Sequence, residues 1–270
     1  MKMIDLHVHS AQSHDGAGTV ADWCELAVER GVSVIGFCEH LDLDETDTYF
    51  NQLDYDAYRA EVAAVRERFA DRLQIRMGVE IGYLPRLEKE IATWLEQHPV
   101  DFAMGSVHTI FENAGVSGEY DAIETFARYE FWEVYEEFFG QTLSLVKSGL
   151  FDVVGHFDLV QRHGSHYLKG EMEWGRLYGL IGRAFEGMVL RQMALEINTS
   201  GLRQKPKACY PDPKLLTLYR ELGGEQVTLG SDAHDPTLLA AGMDRAEELV
   251  RAHGLRPVEF TDRQPKDLSG

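Results

Sequence analysis

The chain opens on an alternation. Ile4, Leu6 and Val8 alternate with Asp5, His7 and His9, the period of two that a β-strand requires, so His7 and His9 share one face. Short β-branched or apolar runs predict six further strands at Val32–Cys38, Ile75–Val79, Phe102–Val107, Phe151–Gly155, Ala194–Asn198 and Gln226–Gly230. Helical patterns fall between them. Thr19–Asp22 reads as a capping box and Gly31 as a stop, bounding a helix over Val20–Arg30. Further helices are predicted over Tyr55–Ala70, Leu87–Gln97, Ile123–Lys147 and within Glu173–Arg191. Asp212-Pro213 and Asp235-Pro236 each read as an N-cap followed by proline at the first helical position. Two segments read as loops: the acidic Leu41–Asp54, and the polar Thr109–Asp121, a candidate lid.

Seven strands alternating with helices predict an α/β fold of parallel strands and crossover helices, either closed into a barrel or left open. No linker, low-complexity tract or short repeat interrupts the pattern. Residues 1–270 are therefore expected to form a single domain, a length that suits an α/β barrel of about 250 residues.

Composition narrows the function. A net charge of −19 argues against a nucleic-acid or anionic-membrane partner and leaves room for a small anionic substrate held by local cations. No apolar run reaches the ~18–20 residues of a membrane span, and the chain enters a strand with no secretory leader, so a cytoplasmic protein is expected. Cys24, Cys38 and Cys209 are odd in number, lack metal-type spacing and read as reduced thiols. Cys38 adjoins Glu39-His40 but reads as a buried structural thiol.

The candidate chemistry follows from placement. An isolated His-x-His is an ordinary feature of a solvated strand. Here His7, His9, His40, Glu80, His108, His156, Asp232 and His234 all fall at or just past the C-terminal ends of predicted strands, the rim on which parallel α/β folds build active sites. Neutral imidazoles and carboxylates converging there suit a divalent transition metal. His98 and His253 read instead as helix ends, and His14, His163 and His166 as loop or helix residues.

These motifs, in order, resemble the PHP (polymerase and histidinol phosphatase) metallophosphoesterases: His7-x-His9 with Ser10 and Asp15-Gly16, then Glu39-His40, Gly78-Val79-Glu80, Ser106-Val107-His108, Gly155-His156 and Ser231-Asp232-Ala233-His234. Within that family the resemblance is to the monofunctional histidinol-phosphatase branch. It rests on Gly155-His156-Phe157-Asp158-Leu159 with Arg162, on Glu196-Ile197-Asn198-Thr199-Ser200-Gly201-Leu202-Arg203, and on the spacing from Ser231 through Gly254 to Phe260.

The resemblance implies a distorted seven-stranded (β/α)7 barrel, similar to a TIM barrel, and a phosphoric monoester hydrolase with two to three divalent ions (Zn, Fe, Mn or Co). His7 and His9 would hold the first with Glu80 and Asp232. Glu80 would bridge to a second held by His108 and His156, and His40, His234 and Asp15 would hold the third, with neighbouring His14 leaving that register open. Two cations roughly 3.5–4 Å apart can neutralise a phosphate dianion and hold hydroxide in line with phosphorus. Only a carboxylate can bridge them, which singles out Glu80. Arg162 and Arg203, both past strand ends, are the candidate phosphate clamp, since a guanidinium fork matches phosphate oxygens. Asp158, Asn198 and Ser231 are candidates for orienting neighbours, and Asp42, Asp44, Glu112 and Glu119 for meeting a cationic substrate end. The leading reading is hydrolysis of L-histidinol phosphate in histidine biosynthesis. The alternatives are a PHP-type phosphoesterase acting on a nucleotide or other small ester, and a metal-binding protein without catalysis. Metal identity, the general acid and oligomeric state are not legible.

Overall fold

The computed structural model describes residues 2–268. Seven short parallel strands form its centre: β1 (Met3–Val8), β2 (Val32–Leu41), β3 (Gln74–Gly82), β4 (Phe102–Ser106), then, after a small hairpin β5 (Thr109–Ile110) and β6 (Ala114–Gly115), β7 (Val153–Val154), β8 (Ala194–Asn198) and β9 (Gln226–Gly230). The order β1-β2-β3-β4-β7-β8-β9 is sequential, and every pairing in it is parallel. β1 then meets the chain just past β9. Val8 pairs in parallel with Ala233, Asp232 N–H donates to the His7 carbonyl at 2.8 Å, and His9 N–H donates to the Ala233 carbonyl at 2.9 Å. The ring is thus joined by the residues that carry the candidate ligands.

The helices lie outside this ring. α1 (Val20–Glu29) carries the expected capping box from Thr19 and Asp22, and its chain turns at Gly31, φ 72°. α2 (Tyr55–Phe69), α3 (Glu88–Gln97), α4 (Glu119–Arg128), α5 (Phe131–Ser148), the short α6 (Gln161–Gly164), α7 (Tyr178–Arg191), α8 (Pro213–Glu221) and α9 (Met243–His253) follow. Ile4, Leu6 and Val8 of β1 join Val20, Trp23 and Ala27 of α1 in the main apolar core, while the intervening Asp5, His7 and His9 are equally buried and polar.

Four expectations change. The helix predicted over Ile123–Lys147 is two helices, broken at Tyr129-Glu130, where Glu130 turns extended and forms a capping box with Glu133. The apolar stripe runs on across the break, so periodicity alone does not reveal it. The segment Thr109–Asp121 is a two-stranded hairpin followed by the first turn of α4. Asp235-Pro236 caps only one 3₁₀ turn, and α9 begins at Met243.

The last difference is an unexpected strand β10 (Arg256–Thr261), parallel to β9 and folded back on β11 (Gln264–Asp267). Val258 and Phe260 of β10 pack with Cys38, Phe102, Met104, Val153 and Ala194 in a second, smaller apolar cluster. Those partners alternate with Ala103, Val154 and Leu195, which face the main core. The cluster therefore lies on the opposite face of the strands, inside the ring, and β10 plugs the end away from the ligands.

Candidate metal centre

The strand ends converge. His7, His9, Asp232, Glu80, His108, His156, His40 and His234 form three groups: His7, His9 and Asp232; Glu80, His108 and His156; and His9, His40 and His234, the first and third sharing His9. Glu80, only 1% exposed, divides its carboxylate between them. Oε1 lies 2.7 Å from His156 Nε2 and 3.3 Å from His108 Nε2. Oε2 lies 3.3 Å from His7 Nε2, 3.5 Å from His9 Nε2 and 3.3 Å from His40 Nδ1. Asp232 Oδ1 is 3.8 Å from His7 Nε2 and 3.6 Å from His9 Nε2. Asp15 is further out, 3.6 Å from His40 Nε2 and 3.3 Å from His234 Nε2. His14 turns its ring onto Tyr49, stacked at 3.6 Å between centroids.

Donors about 2.1 Å from one ion stand roughly 3–3.4 Å from each other, close to the spacings in the first two groups and to the 3.3 Å between His40 Nε2 and His234 Nε2 in the third. The side chains therefore fit two to three divalent transition ions, with nitrogen and oxygen donors that suit Zn, Fe, Mn or Co.

The carboxylates and imidazoles perturb one another. Burial alone raises Glu80, but His7, His108 and His156 outweigh it and hold its carboxyl well below the usual range. Asp232 is likewise held low, against burial, by His7, His9 and His234. Burial pulls His7 down, yet Glu196, Glu80 and Asp232 raise it well above its ordinary value. His9 goes the other way, lowered to about 4 by burial and by the neighbouring His234. The field that draws a proton to His7 is one that a metal cation would also occupy.

Behind the donors sits a second set of buried groups, which the motifs alone do not assign to the site. His7 Nδ1 is 2.6 Å from Glu196 Oε1, and Glu196 Oε2 accepts from His156 N–H at 2.7 Å and Asn198 Nδ2 at 3.1 Å. That approach needs Gly230, where a Cβ would lie 2.3 Å from Glu196 Oε1 and 2.5 Å from His7 Cβ. Asp5 accepts from Ser231 Oγ at 2.5 Å and Ser231 N–H at 2.9 Å, tying β1 to the Asp232 turn. Glu39 accepts from Ser10 Oγ at 2.6 Å and Ser13 Oγ at 2.5 Å, and burial outweighs these donors to push it up to about 7. Asp5 shares the β1 face with His7 and His9, Glu39 adjoins His40, and Glu196 lies in the strand-six motif. Each carries a signal of position. Ser13 carries none.

Asp232 itself adopts φ 53°, a left-handed conformation that costs a non-glycine residue of order 1–3 kcal/mol. Its N–H is held by the His7 carbonyl. Arg203 Nη2 donates to the carbonyl of Ser231 at 2.7 Å, so Arg203 lies directly behind the Asp232 turn, with Nη1 buried and unpartnered. Arg162 instead lines the cavity above the ligands. This cavity, about 610 Å³, is walled by Asp42, Asp44, Asp47, Glu112, Asp121 and Tyr49 and has Glu80, His108, His156 and His234 among its lining. Glu119 is not among its lining residues. Asp158 accepts from Asp212 N–H at 2.9 Å and Gln161 Nε2 at 2.5 Å, tying the turn after β7 to α8.

A profile of the PHP domain family matches residues 5–200. The chain is 30% identical to a probable histidinol-phosphatase of Deinococcus radiodurans over 97% of this chain and 98% of that protein. It is 28% identical to the histidinol-phosphatase of Lactococcus lactis over 94% and 92%. Its fold superposes with a TM-score of 0.83 on the crystal structure of the L. lactis histidinol phosphate phosphatase complexed with zinc, L-histidinol and phosphate, at 24% identity and covering 98% of this chain and 99% of that one. The profile ends before Asp232 and His234, but the full-length relatives extend through them. With ring, strand-end donors and relatives in agreement, the chain belongs to the PHP family, in its histidinol-phosphatase branch.

Proposed function

We infer that this chain, acting as one catalytic domain, hydrolyses L-histidinol phosphate to L-histidinol and phosphate. The observation that carries the reading is Glu80, whose two oxygens face two separate histidine groups at the floor of the cavity. A lone structural ion would not require that division. His7, His9 and Asp232 would hold one divalent ion, His108 and His156 a second, with Glu80 between them. His40 and His234 with Asp15 would hold a third. When bound, such ions supply a water of lowered pKa and neutralise the phosphoryl oxygens.

The chain's own residues do the rest. Arg162, on the cavity wall, would take phosphate oxygens; Arg203 is not on that wall, and its buried, unpartnered Nη1 would reach them only past the Asp232 turn. The buried floor excludes bulk water, which strengthens both contacts. The acidic wall of Asp42, Asp44, Asp47, Glu112 and Asp121 favours an ester whose leaving group is cationic, as histidinol is through its ammonium, with an imidazole that can take up a second proton. The same wall offers nothing to the uncharged nucleoside of a monophosphate and opposes a di- or triphosphate, whose further phosphates add negative charge. No helix among the described residues is long and apolar enough to cross a membrane. A small soluble substrate and a cytoplasmic setting accord with this reading.

Phosphate release from a panel of small esters tests it. Histidinol phosphate should be the preferred substrate. Preference for a nucleoside monophosphate would move the assignment to another phosphoesterase of the family.

A further inference from the structure

We propose that Ser13 is a positioning residue that fixes the ring of His9 for metal binding and anchors His40 at the same time. The proposal rests on the metal-centre reading above.

Ser13 lies in the loop between β1 and α1 and is 4% exposed. Its Oγ makes three contacts. It donates to Glu39 Oε2 at 2.5 Å, it accepts the backbone N–H of His40 at 3.0 Å, and it lies 3.2 Å from His9 Nδ1. A hydroxyl has one proton and two lone pairs. The His40 amide can only donate, so it takes one lone pair. The short bond to the Glu39 carboxylate takes the proton. The remaining lone pair faces His9 Nδ1, which must then carry the hydrogen. His9 Nε2 is left as a bare lone pair pointing at His7, Glu80 and Asp232.

His7 is held in the same way, but directly, by Glu196 on its Nδ1. The two Nε2 atoms therefore face one point, 2.9 Å apart, where His9 offers a lone pair and a bound cation would take the place of the one proton that His7 carries there. A free imidazole would take either tautomer or turn over, and groups behind a ligand that prevent this typically contribute about 10- to 100-fold in metal affinity. The loop is shaped for the task. Ser13 N–H donates to the Ser10 carbonyl at 3.0 Å, and a Cβ on Gly16 would lie 2.0 Å from that same oxygen. Only glycine lets the chain close over Ser10 and hold Ser13 beneath His9.

Zinc retention against a competing chelator, measured on full-length protein by elemental analysis, tests this. Ser13→Ala should bind zinc about 10- to 100-fold more weakly at one position, and Ser13→Thr, which keeps the hydroxyl, should restore most of it. Long-range proton–nitrogen correlation spectra of the zinc-loaded protein should show His9 protonated at Nδ1 in the wild type, and that signature should be lost in Ser13→Ala. Should Ser13→Ala not fold, Glu39→Gln keeps the side-chain volume; its one oxygen is required by the Ser10 N–H, so its NH2 would face Ser13 Oγ and reverse that hydroxyl toward His9 Nδ1, and it should weaken zinc in the same direction. Wild-type zinc retention and an unchanged His9 spectrum in the folded variant would overturn the proposal. Failure of the wild type itself to hold zinc would instead overturn the metal-centre reading beneath it.

Discussion

His7 Nε2 and His9 Nε2 lie 2.9 Å apart and are shifted in opposite directions, His7 well upward and His9 down to about 4. Without metal, one proton resides on His7 and is shared toward His9. A cation between them must displace it.

Metal binding should therefore release protons. Burial lowers His108 and His234 too, but Glu80 and Asp15 respectively lead the acidic neighbours that leave both raised, so protons are also lost from them when they ligate. Because the free site binds more protons than the loaded one, affinity falls as pH falls. Release of one proton corresponds to about a tenfold loss of affinity per pH unit. Zinc titration by calorimetry in two buffers of different ionisation enthalpy should show at least one proton released between pH 6 and 8. A heat independent of buffer would contradict the assignment of His7 as a displaced-proton ligand.

Glu80→Gln keeps the shape and removes the charge between the two histidine groups. It should fold, lose at least one metal ion per chain, and lose more than about 100-fold in turnover, beyond the 10- to 100-fold typical of groups behind a ligand. Elemental analysis alongside circular dichroism checks both halves. Normal metal content with normal activity would place the bridge elsewhere.

The two arginines should separate. Truncating one member of a desolvated charge pair costs about 2–5 kcal/mol, so Arg162→Ala and Arg203→Ala should each lower kcat/KM by roughly 30- to 3,000-fold. Lysine should rescue only in part, since an ammonium lacks the fork. Arg162→Ala should keep its metal. Arg203 also supports the left-handed Asp232 turn through Ser231, so Arg203→Ala should lose metal more readily to a chelator. Equal retention in both variants would remove that support role.

Asp158 ties the turn after β7 to α8 and is fully buried, which pushes its carboxyl up to about 7 despite the donors on one oxygen. An unfolded chain would titrate the same carboxyl near its ordinary value of about 4. The protonated form is therefore favoured by folding. Its contribution is fully present below pH 4 and is lost as pH rises through about 7, each tenfold difference in proton affinity being worth about 1.4 kcal/mol. Asp158→Asn cannot ionise, so relative to wild type it should gain stability from pH 5 to pH 8. Parallel urea midpoints at the two pH values would show the carboxyl to be unperturbed.

The site is more legible in the sequence than the frame around it. Strand ends are where apolar runs stop, and a histidine or carboxylate at such a stop is visible in a single sequence, so all the strand-end donors can be named without their distances. The groups behind them are harder. Glu196 and Glu39 lie inside motifs but give no sign that one holds the His7 ring and the other Ser10 and Ser13, because that depends on a neighbouring strand's register. Ser13 lies in a loop whose path is set by Gly16 closing on Ser10, a tertiary fact. The break at Tyr129-Glu130 is hidden because the apolar stripe continues through it. β10 escapes notice because Val258 and Phe260 alternate over too few residues to distinguish a plug strand from a tail.

The most direct measurement is phosphate release by the metal-replete protein from L-histidinol phosphate beside nucleoside monophosphates and a simple aryl phosphate. The account predicts kcat/KM on histidinol phosphate at or above about 10⁴ M⁻¹s⁻¹, well above the other esters and abolished by chelation. Cleavage of the other esters with histidinol phosphate left intact would contradict it.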